Sequence, residues 1–174
     1  MKLLVPLLLS ALSSPSPVGG VLLASLRVLS PDAEYSVQVW ERPDRPLDRF
    51  LTISCVAQCK SAEDYHEEVS DFPLSLTSTE DGALVATIWS GATSLFVRVY
   101  RIRHGSIGKV LETFSKAPPL VKELNNGDLL ITTYQTGSRQ GSSTVHPVAR
   151  LWHVRNGSRS DTSRRERRAI GTIR

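Results

Sequence analysis

The sequence lacks the long apolar run of about 20 residues that a membrane-spanning helix needs, and aromatic residues make up only 6% of its 174 residues. It contains no Gly-x-Ser-x-Gly elbow, no phosphate-cradling P-loop and no Gly-x-Gly-x-x-Gly fingerprint. None of its four histidines lies at metal-ligand spacing from another. These absences argue against common hydrolase, nucleotide-binding and zinc chemistry, so we predict no catalytic residue and no cofactor.

A basic surface is also missing from most of the chain. The formal net charge is +4, and residues 159–174 alone hold six arginines against Asp161 and Glu166. The rest of the chain is therefore balanced. A charged segment with few apolar residues cannot offset its ordering entropy by burial, so we predict a disordered basic tail over residues 158–174. Contact of this tail with nucleic acid or anionic lipid is an open alternative, but there is no strong nucleic-acid signal.

The amino terminus has the pattern of an export signal. Met1-Lys2 provides a positive start, Leu3–Leu12 is a short apolar run, and Ala11-Leu12-Ser13 fits a small-x-small cleavage rule. Prolines and glycines in Ser13–Gly20 then end any helix. We predict a signal peptide over residues 1–20, a single all-β domain with internal repeats over residues 21–157, and a secreted or periplasmic location.

Only two cysteines occur, at Cys55 and Cys59. In an oxidising compartment the two thiols would pair. A disulfide between residues this close requires Val56-Ala57-Gln58 to turn, because an extended strand would hold the Cα atoms too far apart. Free thiols and a reactive pair are the alternatives, although C-x₃-C lacks the usual redox spacing and no second cysteine pair could complete a zinc site. We predict a structural disulfide.

Apolar residues in most of the chain alternate with a period of two, which is typical of half-buried strands. Turn dipeptides such as Asp81-Gly82 and Asn126-Gly127 separate these stretches. Val21–Leu29 is either a first strand or the end of the signal. The predicted strands are Tyr35–Trp40, Phe50–Cys55, Ala83–Trp89, Leu95–Arg103, Ile107–Phe114, Asp128–Tyr134 and Pro147–Val154.

Ser61–Phe72 is the densest group of hard metal ligands in the chain. It has too few apolar residues at helical spacing to pack as a helix, so we predict a polar loop with at most one helical turn. Asp64, His66 and Glu68 would lie on one face of an extended segment. These three are weak candidates for a divalent metal, and a small metal-assisted hydrolase using the 63–71 loop is the alternative to a binding function.

The chain repeats part of itself. Val97–Gly105 is similar to Ala149–Gly157 at an offset of 52 residues, and Leu84–Trp89 is similar to Leu129–Tyr134 at an offset of 45. A third, weaker match places Ser36–Arg42 on Phe96–Ile102 at an offset of 60. Strand units repeated every 40–50 residues are typical of propeller blades.

Residues 81–157 thus resemble the FG-GAP/VCBS-type repeats of extracellular β-propellers, in which a strand, a glycine loop and an aromatic-ending strand precede a turn. The resemblance implies an extracellular binding domain, and its family members often bind calcium through an Asp-rich loop. The matching place here offers only Glu123, Asn125 and Asp128, which are too few anionic oxygens for a hard-cation site. Two and a half units are also too few to close a propeller, which needs about four blades.

Several aromatic residues fall late in predicted strands. Such a layer is usually core, but Trp89, Tyr100 and Trp152 could also form an exposed platform for a partner. We therefore predict an all-β antiparallel meander of propeller-like hairpin units, packed as two sheets. Its predicted function is that of an exported, non-enzymatic binding or structural module. The predicted partner is a macromolecule or glycan outside the cytoplasm, and self-association through sheet edges is a further possibility.

Overall fold

The structure is a computed structural model that describes residues 19–59, 64–138 and 145–156. The predicted export signal, apart from residues 19 and 20, and the predicted basic tail lie outside these residues. Eleven strands and no helix occur in the described parts of the chain. Consequently, no helix found there is long and apolar enough to cross a membrane. The predicted all-β class is confirmed.

The strands form three antiparallel sheets, each of which contains strands that are consecutive in the chain. The first sheet contains β1 (Val21–Leu29), β2 (Glu34–Arg42), β3 (Arg45–Ala57) and β4 (Tyr65–Val69). The second contains β5 (Phe72–Ser78), β6 (Leu84–Ser90), β7 (Leu95–Arg103) and β8 (Ser106–Ser115). The third contains β9 (Leu120–Glu123), β10 (Leu129–Ser138) and β11 (Val145–Val154). The open meander is as predicted.

The number of sheets is three, whereas the sequence favoured two. Between β8 and β9 the chain passes through Pro118 and Pro119, which cannot donate backbone hydrogen bonds. The ladder of the second sheet therefore ends, and β9 begins a new sheet by pairing with β10 over Thr132↔Leu120 to Leu129↔Glu123.

The turn between β7 and β8 has the geometry of a two-residue type I′ hairpin. His104 and Gly105 have φ values of 49° and 80°, and both signs match the mirror-image turn that suits the twist of antiparallel strands. Val21–Leu29, which the sequence left open, is strand β1 and pairs with β2 along its length.

The disulfide between Cys55 and Cys59 is present, with Cα atoms 5.9 Å apart. The predicted turn is shorter than expected, because β3 continues through Val56 and Ala57. The chain reverses at Gln58, which has a φ of 61°. One left-handed residue is thus enough to bring the two cysteines together.

The prediction of a polar loop over Ser61–Phe72 was wrong over Tyr65–Val69, and its residues 61–63 lie outside the described residues. Tyr65–Val69 is strand β4, which pairs with Arg49–Ile53 of β3. Its inward face consists of Tyr65, Glu67 and Val69, so one inward position carries a charge. A search of the sequence for alternating apolar residues therefore does not find this strand.

Two apolar cores lie on opposite faces of the second sheet. Val85, Trp89 and Tyr100 pack against residues of the first sheet such as Val37 and Ile53. On the other face, the residues packed between the second and third sheets are Leu84, Ala86, Val97, Val99, Leu129, Ile131 and Val154. The second sheet is therefore the middle layer of the molecule.

The first hairpin turns of the three sheets lie close together. In the turn between β5 and β6, Gly82 lies against the backbone of Leu29 at the end of β1. In the same turn, the backbone N–H of Glu80 donates to the carboxylate of Glu123 at the end of β9, at 3.0 Å. The ends of β1, β5 and β9 therefore point the same way.

The strand registers correct one of the repeat offsets. Tyr100 pairs with Val85 in the second sheet, and Trp152 pairs with Ile131 in the third. The offset of 52 between β7 and β11 therefore corresponds to an offset of 46, and not 45, between β6 and β10. A shift of one residue reverses the face of every side chain in a strand, so this difference decides which residues are equivalent.

The third, weaker copy does not correspond to a structural repeat. It matches β2 with β7, but β2 is the second strand of its sheet and β7 is the third. The strand of the second sheet that occupies the place of β2 is β6. The match reflects the similar composition of two amphipathic strands.

Gly82 provides a test of how closely the turns pack. Its φ is 67°, and a Cβ atom there would overlap the carbonyl oxygen of Leu29. We expect Gly82→Ala to lower the free energy of unfolding by about 1–3 kcal/mol, because both the strained φ and the contact oppose a side chain. Gly108→Ala is the control, since no atom lies within 4 Å of its added Cβ. Equal denaturant midpoints for the two variants would contradict the packing described above.

Candidate functional site

The predicted aromatic platform is not an exposed surface. Trp89 and Tyr100 are both 0% exposed and belong to the core between the first and second sheets. The indole Nε1 of Trp89 donates to Thr87 at 2.6 Å, which satisfies its polar atom inside the core. Trp152 is half-buried and packs on the opposite core. These residues are therefore structural, as most such aromatic layers are.

The three weak metal candidates lie on the outward side of β4. Asp64 and His66 are exposed, and the His66 ring lies 5.1 Å from that of Phe50. The carboxylate of Glu68 lies 3.6 Å from the guanidinium of Arg42. Among the residues that the structure describes, no group of three or more His, Cys, Asp or Glu side chains is placed to hold a metal ion.

The inward side of β4 contributes to a charged cluster that the sequence did not predict. Arg98 on β7 is 7% exposed, and its guanidinium lies 3.1 Å from Asp71, 3.3 Å from Glu112 and 3.5 Å from Glu67. Lys109 lies 3.1 Å from Glu67 and also pairs with Glu112. The cluster joins the first and second sheets at the end of their shared core.

Tyrosines complete this cluster. The hydroxyls of Tyr65 and Tyr100 donate to Glu67 at 2.8 Å and 3.2 Å. Burial, reinforced by the Glu67 charge, raises the pKa of both tyrosines, which therefore stay neutral donors. Hydrogen bonding from Lys109, with the nearby Arg98 charge, lowers the pKa of Glu112 despite its burial. The cluster thus keeps Glu112 ionised and the two tyrosine hydroxyls neutral, which suits a structural joint.

Removing Arg98 tests the joint. Arg98→Met leaves three carboxylates with only Lys109 to balance them, so we expect the free energy of unfolding to fall by about 3–5 kcal/mol. The control is Arg27→Met, because Arg27 pairs with Glu34 at 2.6 Å but its side chain is 73% exposed. We expect that change to cost less than about 1 kcal/mol. Urea denaturation measures both, and a mild effect at Arg98 would show that the ion cluster is dispensable.

A polar cleft of about 380 Å³ lies where the turns of the three sheets meet. It lies at the turns that follow β1, β5 and β9, beside the turn between β7 and β8, so it contains residues far apart in the sequence. Its lining residues are Ser30, Pro31, Asp32, Asp81, Ala83, Ile102, Arg103, His104, Asn126, Asp128 and Asn156. Four of these side chains, those of Asp81, Asn126, Asp128 and Asn156, take part in hydrogen bonds within the protein.

Asn156 connects two of the cleft carboxylates. Its side-chain amide donates to Asp81 in the second sheet, and its backbone N–H donates to Asp128 of the third sheet at 2.7 Å. Asn156 also begins the sequence Asn156-Gly157-Ser158, a glycosylation sequon. Its amide nitrogen is occupied by a contact between sheets, so this asparagine serves the fold.

The loop that matches the calcium site of the resembling family is satisfied by donors from the protein. Asp128 lies 2.7 Å from the imidazole Nε2 of His153 and accepts a hydrogen bond from the Asn126 amide at 3.0 Å. The carboxylate of Glu123 accepts from the backbone of Glu80. N–H groups thus contact the oxygens that calcium would need.

The acid response of Asp128 tests this hydrogen bonding. Burial alone raises its pKa, but donors from Asn156, His153 and Asn126 outweigh burial and lower the pKa below the usual value. A lowered carboxyl pKa gives stability that is present above the unfolded-state pKa and is lost as the pH falls through the folded-state pKa. Wild-type stability should therefore fall as the pH drops below about 4.

We expect Asp128→Asn to make stability depend less on pH in this range, and to lower it at pH 7 by about 1–3 kcal/mol. The control is Asp48→Asn, because the side chain of Asp48 is 53% exposed and pairs only with Arg45 at 3.8 Å. Thermal melting between about pH 2 and pH 7 measures both variants. An unchanged pH profile in Asp128→Asn would contradict the role given to this carboxylate.

The outer face of the third sheet, defined as the face directed away from the second sheet, is the third feature of interest. By strand register it contains Leu120, Lys122, Leu130, Thr132, Tyr134, Ala149, Leu151 and His153. Leu120 is 60% exposed and Leu151 is 40% exposed. In the parts of the chain that the structure describes, no strand packs on this face.

The exposure of this face contrasts with that of the similar strands β6 and β7 in the second sheet. With the corrected offsets, Leu151 is the equivalent of Val99, and Leu130 is the equivalent of Leu84. Val99 and Leu84 are both 0% exposed, because the third sheet covers them. The alternation of residues in the sequence indicates that these strands have two faces. Only the strand register shows which of the two faces has no described strand packed on it.

Comparisons of the chain with models of protein families, with curated proteins and with solved structures find no match. The functional argument therefore depends on the geometry of the described residues. Of the three features, the charged cluster is paired within the protein and the carboxylates Asp81 and Asp128 of the cleft accept hydrogen bonds from it. The outer face of the third sheet exposes the apolar side chains of Leu120 and Leu151.

Proposed function

We propose that the protein is an exported, non-enzymatic binding module that contacts its partner through the outer face of the third sheet. The observation that carries this proposal is the contrast between Leu151, 40% exposed, and its repeat equivalent Val99, 0% exposed. An apolar residue that is covered in one copy of a unit and uncovered in the next marks a surface that a further layer would fit.

Export is supported by two features. The first residues have the pattern of a signal peptide, and the Cys55–Cys59 disulfide is compatible with an oxidising compartment. The balanced charge of the body argues against nucleic acid as its main ligand. A binding role outside the cytoplasm accounts for these features together.

Kinship with the FG-GAP/VCBS-type propeller repeats is part of the proposal. Three consecutive meanders whose first strands run the same way, with their first turns meeting in one cleft, fit an arc of propeller-like units. In this view the outer face of the third sheet is where a further unit would pack. The arc supports a binding role because propeller-like scaffolds present their surfaces to other macromolecules.

The alternative, a metal-assisted hydrolase, has less support. Asp64, His66 and Glu68 do not line the cleft, and their nearest described partners are Phe50 and Arg42. No observation favours this function over binding.

Cell fractionation and capture test the proposal. We expect the tagged full-length chain outside the cytoplasm, with saturable binding to a component of that compartment. Leu151→Arg should weaken this binding at least tenfold, because an unpaired charge would enter an apolar contact. The control is Val110→Arg on β8, since Val110 is similarly exposed, at 39%, but lies in the second sheet. A cytosolic protein, or equal binding by both variants, would refute the proposal.

A further inference from the structure

We propose that the outer face of the third sheet binds the same face of a second copy of this chain, forming a two-fold symmetric dimer. This inference rests on the proposed function, in which that face is a contact surface, and names its occupant. The face is arranged in three rows by the register of β9, β10 and β11: Lys122–Leu130–His153, Leu120–Thr132–Leu151, and Tyr134–Ala149.

The middle row makes the face suitable for pairing with itself. Leu120 and Leu151 lie on either side of Thr132, at 60% and 40% exposure. A two-fold axis through Thr132 places the leucines of one copy against those of the other. Two-fold interfaces use the same patch on both subunits, so an apolar centre is complementary to itself.

The charges of the face also permit this arrangement. Lys122 lies in one outer row, and the opposite outer row, Tyr134–Ala149, is neutral. When two copies face each other in opposite directions around the middle row, the row that contains Lys122 lies over the partner's neutral row. Like charges are therefore kept apart, whereas a same-direction arrangement would bring them together.

The outer face of the first sheet is a poorer occupant. A second copy could in principle place that face on the third sheet, so that two sets of three sheets closed a six-unit ring. By register, however, that face contains Ser36, Trp40 and Phe50, which are only 8%, 6% and 6% exposed. Little of its centre is therefore available for contact with another copy. The apolar face of the third sheet is the better match.

The size of the face indicates a weak dimer. Two strands of 10 residues and one of four, spaced by about 4.8 Å with a rise of about 3.4 Å per residue, give roughly 400 Å² on each copy. Stable complexes bury about 800 Å² on each partner. We therefore expect a concentration-dependent dimer with a dissociation constant of about 10–100 µM.

Sedimentation equilibrium of the full chain, from about 1 to about 500 µM, is the main experiment. We expect the mass to rise from monomer to dimer, and expect Leu151→Arg to abolish the rise. Val110→Arg should dimerise like the wild type. Melting temperatures measured at low concentration show whether each variant is folded.

Crosslinking gives a second measurement that does not depend on Leu151→Arg folding. The chain has only two cysteines, which form a disulfide, so an introduced cysteine has no competing thiol. Thr132→Cys lies at the proposed axis, and a short bis-maleimide should link two copies efficiently. Val110→Cys is the control and should stay largely monomeric.

A mass that stays monomeric up to 500 µM, or equal crosslinking at positions 132 and 110, overturns the dimer. Dimerisation that appears only after deletion of residues 157–174 also overturns it, because the chain's own tail would then cover the face. These outcomes leave the proposed function testable by itself. If Leu151→Arg loses partner binding, the third sheet is still supported as a contact surface. If this variant keeps both partner binding and dimerisation, the proposed function and the proposed dimer are both refuted.

Discussion

Burial of both faces of the second sheet constrains the rest of the molecule. Leu84 and Val85 are neighbours on β6, so their side chains point to opposite faces, and both are 0% exposed. A strand of this kind requires an apolar layer on each side. The first sheet provides one layer and the third sheet provides the other. The order of the three sheets therefore follows from the composition of the central strands.

The two junctions made by the second sheet are of different kinds. Towards the first sheet, the apolar core continues into an ion cluster around Arg98. Buried charges contribute little net stability, but they permit only arrangements in which every charge is paired. Towards the third sheet, the apolar core ends at the hydrogen bonds of Asn156 and Asp128. Directional polar contacts at the end of each core thus fix how the sheets are aligned.

Alternation in the sequence is sufficient to predict most strands, because strand side chains that face a core must be apolar at every second position. It did not find β4, β5 or β9. At β4 the inward position Glu67 is charged and its partner Arg98 is 31 residues away. Such a pair can be recognised only after the fold is known. The repeat offset was wrong by one residue at β10 for a related reason, since similar residues on both sides of a strand leave the register undetermined. The burial of Trp89 could likewise not be predicted from alternation, because it depends on packing against a neighbouring sheet.

The similarity of β10 and β11 to β6 and β7 bears on why the third sheet has apolar residues on its outer face. A repeated unit keeps the residue pattern of both its faces, and each internal unit has both faces covered by its neighbours. A final unit without a polar substitution at that face keeps a surface suited to a neighbour. Leu151 occupies such a position, as the equivalent of the fully covered Val99. The outer face of the first sheet differs, because Ser36, Trp40 and Phe50 on that face are only 8%, 6% and 6% exposed. The two outer faces therefore differ in how much of their central rows is accessible to solvent.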